Sequence, residues 1–483
     1  IYTAEQWLYS SGEKPEEYSF IFNVVMRSIE MNEQEYVQEL VNRCQVAQEV
    51  FATYTQEQVD TVVKAIGKAI FDHAKELGEI AAEETGMGNA KAKELKNRNK
   101  SMAVWQHLKG KKSIGIIRVL EDEGIVEVAK PMGVVGCITP STNPTMTPMH
   151  NAMVALKGQN ALLICPHPHG KISGCKTVEY MRQALREVGA PEDLIIIIPE
   201  PTMTLSAMVM KMCDTSIATG GGGMVKVAYQ SGKPALGVGA GNVQCLVDRD
   251  ANLKEIAPKI ISGRSSDNGI LCTCEQSVIC PRESCEELAE ELEENGAYYV
   301  SRTDEITKLT DTIFPDGEHA NRVVIGRPAA EIAQLAGITV PEDTKVLLIK
   351  ADGMQQVLGH EKLFPVLSLF SYDSWEEGIE LVNQNLSLDG RGHSIVIHSY
   401  DQAHIERAAK SVPVSRFLIN GIGSSGLGGA FTNSLAPTGT LGCGSWGNNS
   451  VSENMTYTHL INISRIAYTN PNAHIPTPEE VWA

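Results

Sequence analysis

GVVGCITPSTNPTMTPMHNAMVALKGQNALLICPHPHGK, residues 133–171, is the stretch whose reading decides the fold. Residues 133–138 and 161–164 are short apolar runs rich in Val, Ile and Leu, and the segment 147–157 between them has the length of a helix. Strand, helix, strand at this spacing predicts a parallel sheet. The pattern continues outward, with apolar runs at 194–198 and 216–218 and helix-like segments near 174–188 and 203–212. The expectation is an α/β fold built on a doubly wound, Rossmann-type sheet. Such sheets bind ligands at the carboxyl ends of their strands. The loops 139–143, 166–171 and 219–223 all follow strands directly and are therefore candidate site loops.

The flanks add further elements. Residues 1–31 are aromatic and acidic and read as an arm outside the main fold. Val37, Leu40, Val41, Cys44, Ala47 and Phe51 recur at spacings of three and four and predict a helix from Gln34. A second amphipathic helix is expected to carry Val59, Val62, Val63, Ile66, Ile70 and Leu77 on one face, with Thr55 and Gln58 at capping-box spacing. Residues 113–129 read as two strands around the turn Glu121-Asp122-Glu123-Gly124. A hairpin must cover its edges somehow, and pairing with another subunit is one solution, so a homo-oligomer is expected. A second α/β segment begins near Cys245 and runs to about 428, with strands expected at 276–279, 345–349, 366–370 and 394–397, and a last strand at 460–467. The expected division is an arm at 1–31, a nucleotide-binding domain from 32–112 and 130–244, oligomerisation elements at 113–129 and 450–483, and a catalytic domain at 245–449.

Length and composition bound the function. A chain of 483 residues exceeds one core, and 42% hydrophobic with 21% charged residues is ordinary for a soluble globular protein. A formal charge of -18 and the lack of a Lys/Arg-rich tract exclude a sequence-independent nucleic-acid surface. Eleven cysteines without framework spacing suit a reducing compartment. The C-x-C pair Cys272 and Cys274 has no second Cys or His pair at ligand spacing, so no metal site is expected. Apolar runs are far short of a bilayer span, and the first residues lack a basic region followed by an apolar core. These features predict a cytoplasmic protein without a membrane partner.

Some residues stand out chemically. Cys272 lies in SSDNGILCTCEQSVI, residues 265–279, after an Asp-Asn-Gly turn signal that can present a thiol on a loop. Taken alone, the same cysteine reads better as a buried small hydrophobe. The run Thr219-Gly-Gly-Gly-Gly-Met224 offers a bare backbone where a strand gives way to a helix, which suits a phosphate or a flat cofactor ring. Gly237, Gly239 and Gly241 do not match the dinucleotide fingerprint. Asn143, flanked by Pro140 and Pro144, has the setting of an aimed amide donor, although Asn-Pro is also an everyday turn signal. Glu361 reads equally as a surface carboxylate, and His393 as a structural histidine or a proton carrier.

Together, ITPSTNP, CPHP, ATGGGGMVKVAYQSGKPALGVGAGN, DNGILCTCEQSV, EKLFPV and TLGCGSWGNNSVSEN resemble the aldehyde dehydrogenase superfamily, specifically its coenzyme A-acylating branch, from about residue 32 to the C-terminus. The later motifs are similar to the aldehyde dehydrogenase half of bifunctional aldehyde-alcohol dehydrogenases, and HLINISRIAY to the ending of acylating succinate-semialdehyde dehydrogenases. The resemblance implies an aldehyde dehydrogenase-like architecture with a cofactor domain, an α/β catalytic domain and a protruding oligomerisation hairpin. It implies Cys272 as nucleophile and Asn143 as oxyanion donor beside the Cys272 N–H, with no catalytic role for Cys274. It implies Glu361 on the nicotinamide ribose and Thr139, Pro140, Ser141, His167, Pro168, Thr219, Gly220, Gly221 and Gly239 around NAD or NADP.

Hydrolytic relatives carry a water-activating glutamate where this chain has GVGAGN, with Gly237 or a neighbour in its place. General-base help is worth roughly 10²- to 10⁴-fold, so water should attack a Cys272 thioester slowly. A thiol acceptor needs less activation, which favours coenzyme A. The expected reaction is a reversible, ping-pong oxidation of a short aldehyde to an acyl-CoA. Candidate aldehydes are succinate semialdehyde and sulfoacetaldehyde, with acetaldehyde and propionaldehyde open. Arg264, Ser265, Ser424 and Ser425 are candidates for binding an anionic tail, while Arg264 reads equally as a structurally paired cation and Ser424 and Ser425 as part of a flexible GIGSSGLGG loop. A hydrolytic dehydrogenase and an inactive filament subunit of the same fold are the alternatives.

Overall fold

Apolar runs without alternation belong in parallel sheets covered on both faces. β3 (Val134–Thr139) and β4 (Ala161–Pro166) are buried at every position. The structure, a computed structural model, describes residues 32–483, and the arm expected at 1–31 lies outside the described residues.

Among the described residues, four helices precede the first sheet. α1 (Glu33–Phe51) starts at Asn32, whose side chain accepts from the Glu35 N–H. α2 (Gln56–Asp72) begins with the reciprocal Thr55 and Gln58 capping box. The expected single helix from Val59 to Leu77 is in fact two. His73 leaves helical geometry at φ -96°, ψ 14°, and its ring stacks on Tyr180 at 3.7 Å, so Leu77 belongs to α3 (Ala74–Thr85). The next helix, α4 (Ala90–Leu108), has no apolar stripe that would announce it, yet Lys93, Asn97 and Ser101 on it are buried.

The first sheet is all parallel in the order β5-β4-β3-β6-β7, with β5 at Ile195–Ile197, β6 at Thr215–Thr219 and β7 at Ala235–Val238. Its connections are α5 (Met146–Lys157), α6 (Lys171–Glu187), α7 (Met203–Met212) and α8 (Gly222–Gln230). β3 sits at the centre, so the loops after β3, β4 and β6 emerge side by side.

The chain passes from β7 to β8 (Val243–Val247) through residues 239–242 and enters a second parallel sheet, ordered β10-β11-β12-β9-β8-β13-β14. α9 (Leu253–Ser265) links β8 to β9 (Glu275–Pro281). The remaining strands are β10 (Ala297–Val300), β11 (Val346–Lys350), β12 (Val366–Tyr372), β13 (Gly392–His398) and β14 (Val414–Ile419). Of the described cysteines, nine are free thiols; Cys280 at the end of β9 and Cys285 are bonded to each other.

The hairpin forms as β1 (Gly115–Leu120) and β2 (Ile125–Pro131), turning at Gly124 with φ +63°. One of its edges is covered within the same chain. β15 (Ile461–Ala467) pairs antiparallel with β2, from Ile461 opposite Pro131 to Ala467 opposite Ile125. Ile116, Val119 and Ile466 are exposed on one face of this sheet, and Ile463 is exposed on the other. Among the described residues no helix is long and apolar enough to cross a membrane.

Candidate active site

Cys272 is delivered by an unusual turn. At the end of α9 the backbone takes left-handed geometry three times in succession, at Asp267 (φ +49°), Asn268 (φ +54°) and Gly269 (φ +73°). Asp and Asn tolerate that region better than other side chains, and here both are also held from outside. The Asp267 carboxylate accepts from Lys93 Nζ at 3.0 Å, Lys96 Nζ at 2.9 Å and the Asn89 N–H at 2.9 Å. Asn268 donates to the Gly326 carbonyl at 2.9 Å. Burial alone would raise the Asp267 pKa, but Lys96, Lys93 and the Asn89 N–H hold it below the usual carboxylate range.

Cys272 itself is half-buried. Burial, followed by the nearby Glu361 and Cys443, pushes its thiol up to about 12, against the opposing effects of Arg416 and its own N–H. Gly241 lies against it, and a Cβ there would stand 2.3 Å from the Cys272 carbonyl oxygen. The Gly241 N–H donates to Glu361 Oε1 at 2.9 Å, so the linker 239–242 ties Glu361 to the Cys272 loop. Burial and then Asp389 raise Glu361 to about 8.

Arg416 is buried on β14 and donates to Ser394 Oγ, Asn454 Oδ1 and the His393 carbonyl. His393 is fully buried with both ring nitrogens unpartnered, and burial with the Arg416 charge holds its pKa well below the usual range. At neutral pH it is an uncharged imidazole.

Asn143 stands on the loop after β3. Its Oδ1 accepts from Lys96 Nζ at 2.5 Å, while among the described residues its Nδ2 has only Thr142 Oγ1 at 3.5 Å, the outer limit of hydrogen-bonding range. Lys100, one turn further along α4, donates to the Gly428 carbonyl at 2.8 Å. Burial of its ammonium lowers its pKa to about 8, with the Cys272 charge raising it and Lys96 lowering it. No carboxylate pairs with Lys100 among the described residues.

The cofactor residues proposed from sequence converge at the carboxyl ends of β3, β4 and β6. Thr139, Pro140 and Ser141 follow β3, His167 and Pro168 follow β4, and Thr219 ends β6. The hydroxyls of Thr139 and Thr219 are buried and have no hydrogen-bond partner, which suits a ligand supplying one. A Cβ at Gly221, Gly222, Gly223 or Gly239 would meet nothing within 4 Å, and at Gly220 only Met224. Open backbone over a helix start, with orphan hydroxyls beneath, fits a dinucleotide. His167 is exposed and accepts the His169 N–H at 3.1 Å.

Arg264 is a correction. It is fully buried, and its guanidinium donates to the carbonyls of Glu275, Gly269, Lys362 and Phe364, so none of it faces a substrate. A long cation spent on four carbonyls is holding the nucleophile turn against the Glu361 segment. Ser424 and Ser425 lie on the turn Gly423–Gly426 beside Thr273, where Ser424 Oγ meets Ser266 Oγ at 2.9 Å. Ser265 ends α9 half-buried, with its neighbour Ser266 making that contact.

Sequence reasoning missed the lysines of α4 and also Glu275. The Glu275 carboxyl is buried beneath the nucleophile loop, accepts the Gly423 N–H at 2.6 Å through Oε1, and leaves Oε2 unpartnered. Burial raises it to about 7. Position three to the C-terminal side of the nucleophile was its one available signal.

Residues 7–310 match the aldehyde dehydrogenase family. The chain is similar to the acetylating succinate-semialdehyde dehydrogenase of Clostridium kluyveri, 45% identical over 94% of this chain and 100% of that one. Among solved structures it is similar to an acetylating aldehyde dehydrogenase from Geobacillus thermoglucosidasius, with TM-score 0.89, 36% identity, and coverage of 93% and 100% of the two chains. It is also similar to a propionaldehyde dehydrogenase from Rhodopseudomonas palustris with bound coenzyme A and an acylated cysteine, with TM-score 0.81, 26% identity, and coverage of 89% and 96%.

Proposed function

The chain belongs to the aldehyde dehydrogenase family, and from that premise we propose that it is a coenzyme A-acylating enzyme, oxidising a short aldehyde reversibly to its acyl-CoA with NAD or NADP. One observation carries the acylating reading. The linker packed against Cys272 is Gly239-Ala240-Gly241, and a Cβ at Gly237 would meet Val225 at 2.6 Å and Tyr229 at 2.9 Å, so no carboxylate of this segment reaches a thioester to activate water.

The Cys272 thiolate attacks the aldehyde carbonyl, forming the C–S bond as the C=O π pair moves to oxygen, and Asn143 Nδ2 and the Cys272 N–H donate hydrogen bonds to the resulting oxyanion. The Thr219–Gly223 backbone and Glu361 would hold a nicotinamide cofactor, which when bound would supply the acceptor for the hydride that leaves the hemithioacetal carbon as its C=O re-forms. The resulting Cys272 thioester keeps the same two donors on its carbonyl oxygen. The coenzyme A thiolate attacks that carbonyl, the C–S bond to Cys272 breaks, and acyl-CoA leaves. Arg416 stabilises the departing Cys272 thiolate, since its charge opposes the upward shift of that thiol.

The substrate is a short aldehyde with an anionic tail, a carboxylate or a sulfonate. Lys100 takes the part that Arg264 cannot, as an ammonium near Cys272 with backbone carbonyls and no acid for partners. An arriving anion would supply the counter-charge. Two copies of the chain meet through the hairpin sheet, on the face where Ile116, Val119 and Ile466 are exposed and would then be covered. Free thiols at nine positions and substrates drawn from the coenzyme A and nicotinamide pools suit the cytoplasm.

The test is the purified protein with succinate semialdehyde and NAD⁺ or NADP⁺, with and without coenzyme A. Reduction of the nicotinamide that requires coenzyme A and yields acyl-CoA is expected. Equal turnover to the free acid without coenzyme A would overturn the reading.

A further inference from the structure

We infer that Lys96 is the positioning residue that aims the Asn143 amide, by holding the loop of the oxyanion donor to the turn that delivers the nucleophile. One ammonium does both: it donates to Asn143 Oδ1 at 2.5 Å and to Asp267 Oδ2 at 2.9 Å. The inference rests on Asn143 being the oxyanion donor.

An ammonium has three donors and no acceptor, so only the carbonyl oxygen of a carboxamide can face it. The planar amide group then directs Nδ2 away from Lys96, and the distant Thr142 Oγ1 at 3.5 Å leaves that donor free for a stronger acceptor. A charge-assisted bond to Oδ1 also polarises the amide and makes its N–H groups better donors. Both effects act where charge develops on the substrate oxygen and cost no reorganisation during the reaction.

The surroundings keep this geometry rigid. The Lys96 side chain is 13% exposed and that of Asp267 only 2%. Lys93 shares the same carboxylate at 3.0 Å, so one acid faces two ammonium groups and the cluster keeps a net positive charge beside Asn143. The spacing of the N-cap Asn89 with Lys93, Lys96 and Lys100 of α4 puts all four on one side of the helix: the first three converge on Asp267, Lys96 also reaches Asn143, and Lys100 reaches the Gly428 carbonyl.

Lys93 provides the internal control, because it binds Asp267 but has no bond to Asn143. The variants are Lys96→Met, Lys93→Met, Asn143→Ala and the double variant Lys96→Met with Asn143→Ala. The readouts are Cys272 acylation by p-nitrophenyl acetate, which needs no nicotinamide, kcat and KM for the aldehyde, and Tm. Lys96→Met is expected to slow acylation by roughly 10²- to 10³-fold, the range for losing an oxyanion donor, with KM changed little. The double variant should be no slower than Asn143→Ala. Lys93→Met should lower Tm and slow acylation less than Lys96→Met does, with a loss that adds to that of Asn143→Ala because Lys93 reaches only Asp267. If Lys96→Met does not fold, Lys96→Gln keeps a donor for Asp267 and removes the charge, and the same coupling with Asn143→Ala applies. Additive losses in the double variant, or equal slowing by Lys93→Met, would overturn the assignment of Lys96 alone. Parental acylation by Asn143→Ala would overturn the donor reading and this inference with it.

Discussion

A Cβ on Gly241 would stand 2.3 Å from the carbonyl oxygen of Cys272 and 2.8 Å from its Cβ, so Gly241 is glycine because Cys272 occupies the space where its side chain would be. Backbone carbonyls do not yield as flexible side-chain tips do. Gly241→Ala should therefore shift the Cys272 loop and the Gly241 bond to Glu361 together. The expected result is a fall in kcat of at least about 10²-fold, on the scale set by misplacing a reacting group by an ångström, with circular dichroism unchanged. Parental activity would show that the loop tolerates the displacement.

The upward shift of the Cys272 thiol makes a second prediction. With its pKa pushed up to about 12, the thiolate fraction rises about tenfold per pH unit throughout the accessible range. Alkylation of the unliganded protein by iodoacetamide, followed at Cys272 by mass spectrometry, should accelerate in that proportion from pH 7 to 9. A plateau below pH 9 would mean that Arg416 and the loop N–H outweigh burial.

Glu275 predicts a pH-dependent stability. Its folded pKa of about 7 lies above its unfolded value of 4.5, so the folded state binds the extra proton between these values and loses stability as pH rises through that window. Glu275→Gln keeps an acceptor for the Gly423 N–H and removes the buried charge. The variant should melt higher than the parent at pH 8, by up to about 3 kcal/mol in unfolding free energy, and the difference should shrink to nothing toward pH 4.5. A difference independent of pH would locate the effect elsewhere.

Lys100 predicts substrate selectivity. Lys100→Met should raise KM for succinate semialdehyde about tenfold or more relative to propionaldehyde, which has no charge to lose. Since burial lowers the Lys100 pKa to about 8, its positive charge is present below that pH and fades above it. KM for the anionic aldehyde should therefore climb above pH 8 in the parent and stay level in the variant. Equal effects on both aldehydes would remove Lys100 from tail binding.

The strands of the first sheet were legible because burial on both faces leaves an unbroken apolar run, as at Val134–Thr139. The break at His73 was not, because the apolar spacing continues through it while the stacking partner, Tyr180, lies over a hundred positions away. The motifs led to Cys272, Asn143 and Glu361, whose residue types are chemically distinctive. The lysines of α4 were invisible for a physical reason. AKAKELKNRNKSMAVWQHL has the look of a solvated helix, and the carboxylate that draws Lys93 and Lys96 inward comes from 174 and 171 positions later. Arg264 misled in the opposite way, since an arginine near a nucleophile invites an anion, and only its four carbonyl partners reveal a clamp.

The seam between β2 and β15 joins residues such as Pro131 and Asn462, 331 positions apart. During synthesis at about 5–20 residues per second, the outer edge of β2 waits some tens of seconds for its partner strand to be made. For that interval every nascent chain on a polysome exposes a strand edge able to pair with its neighbour's. The proposed self-association of this chain would thus have a window that opens before each subunit is complete, set by translation speed as much as by the finished surface.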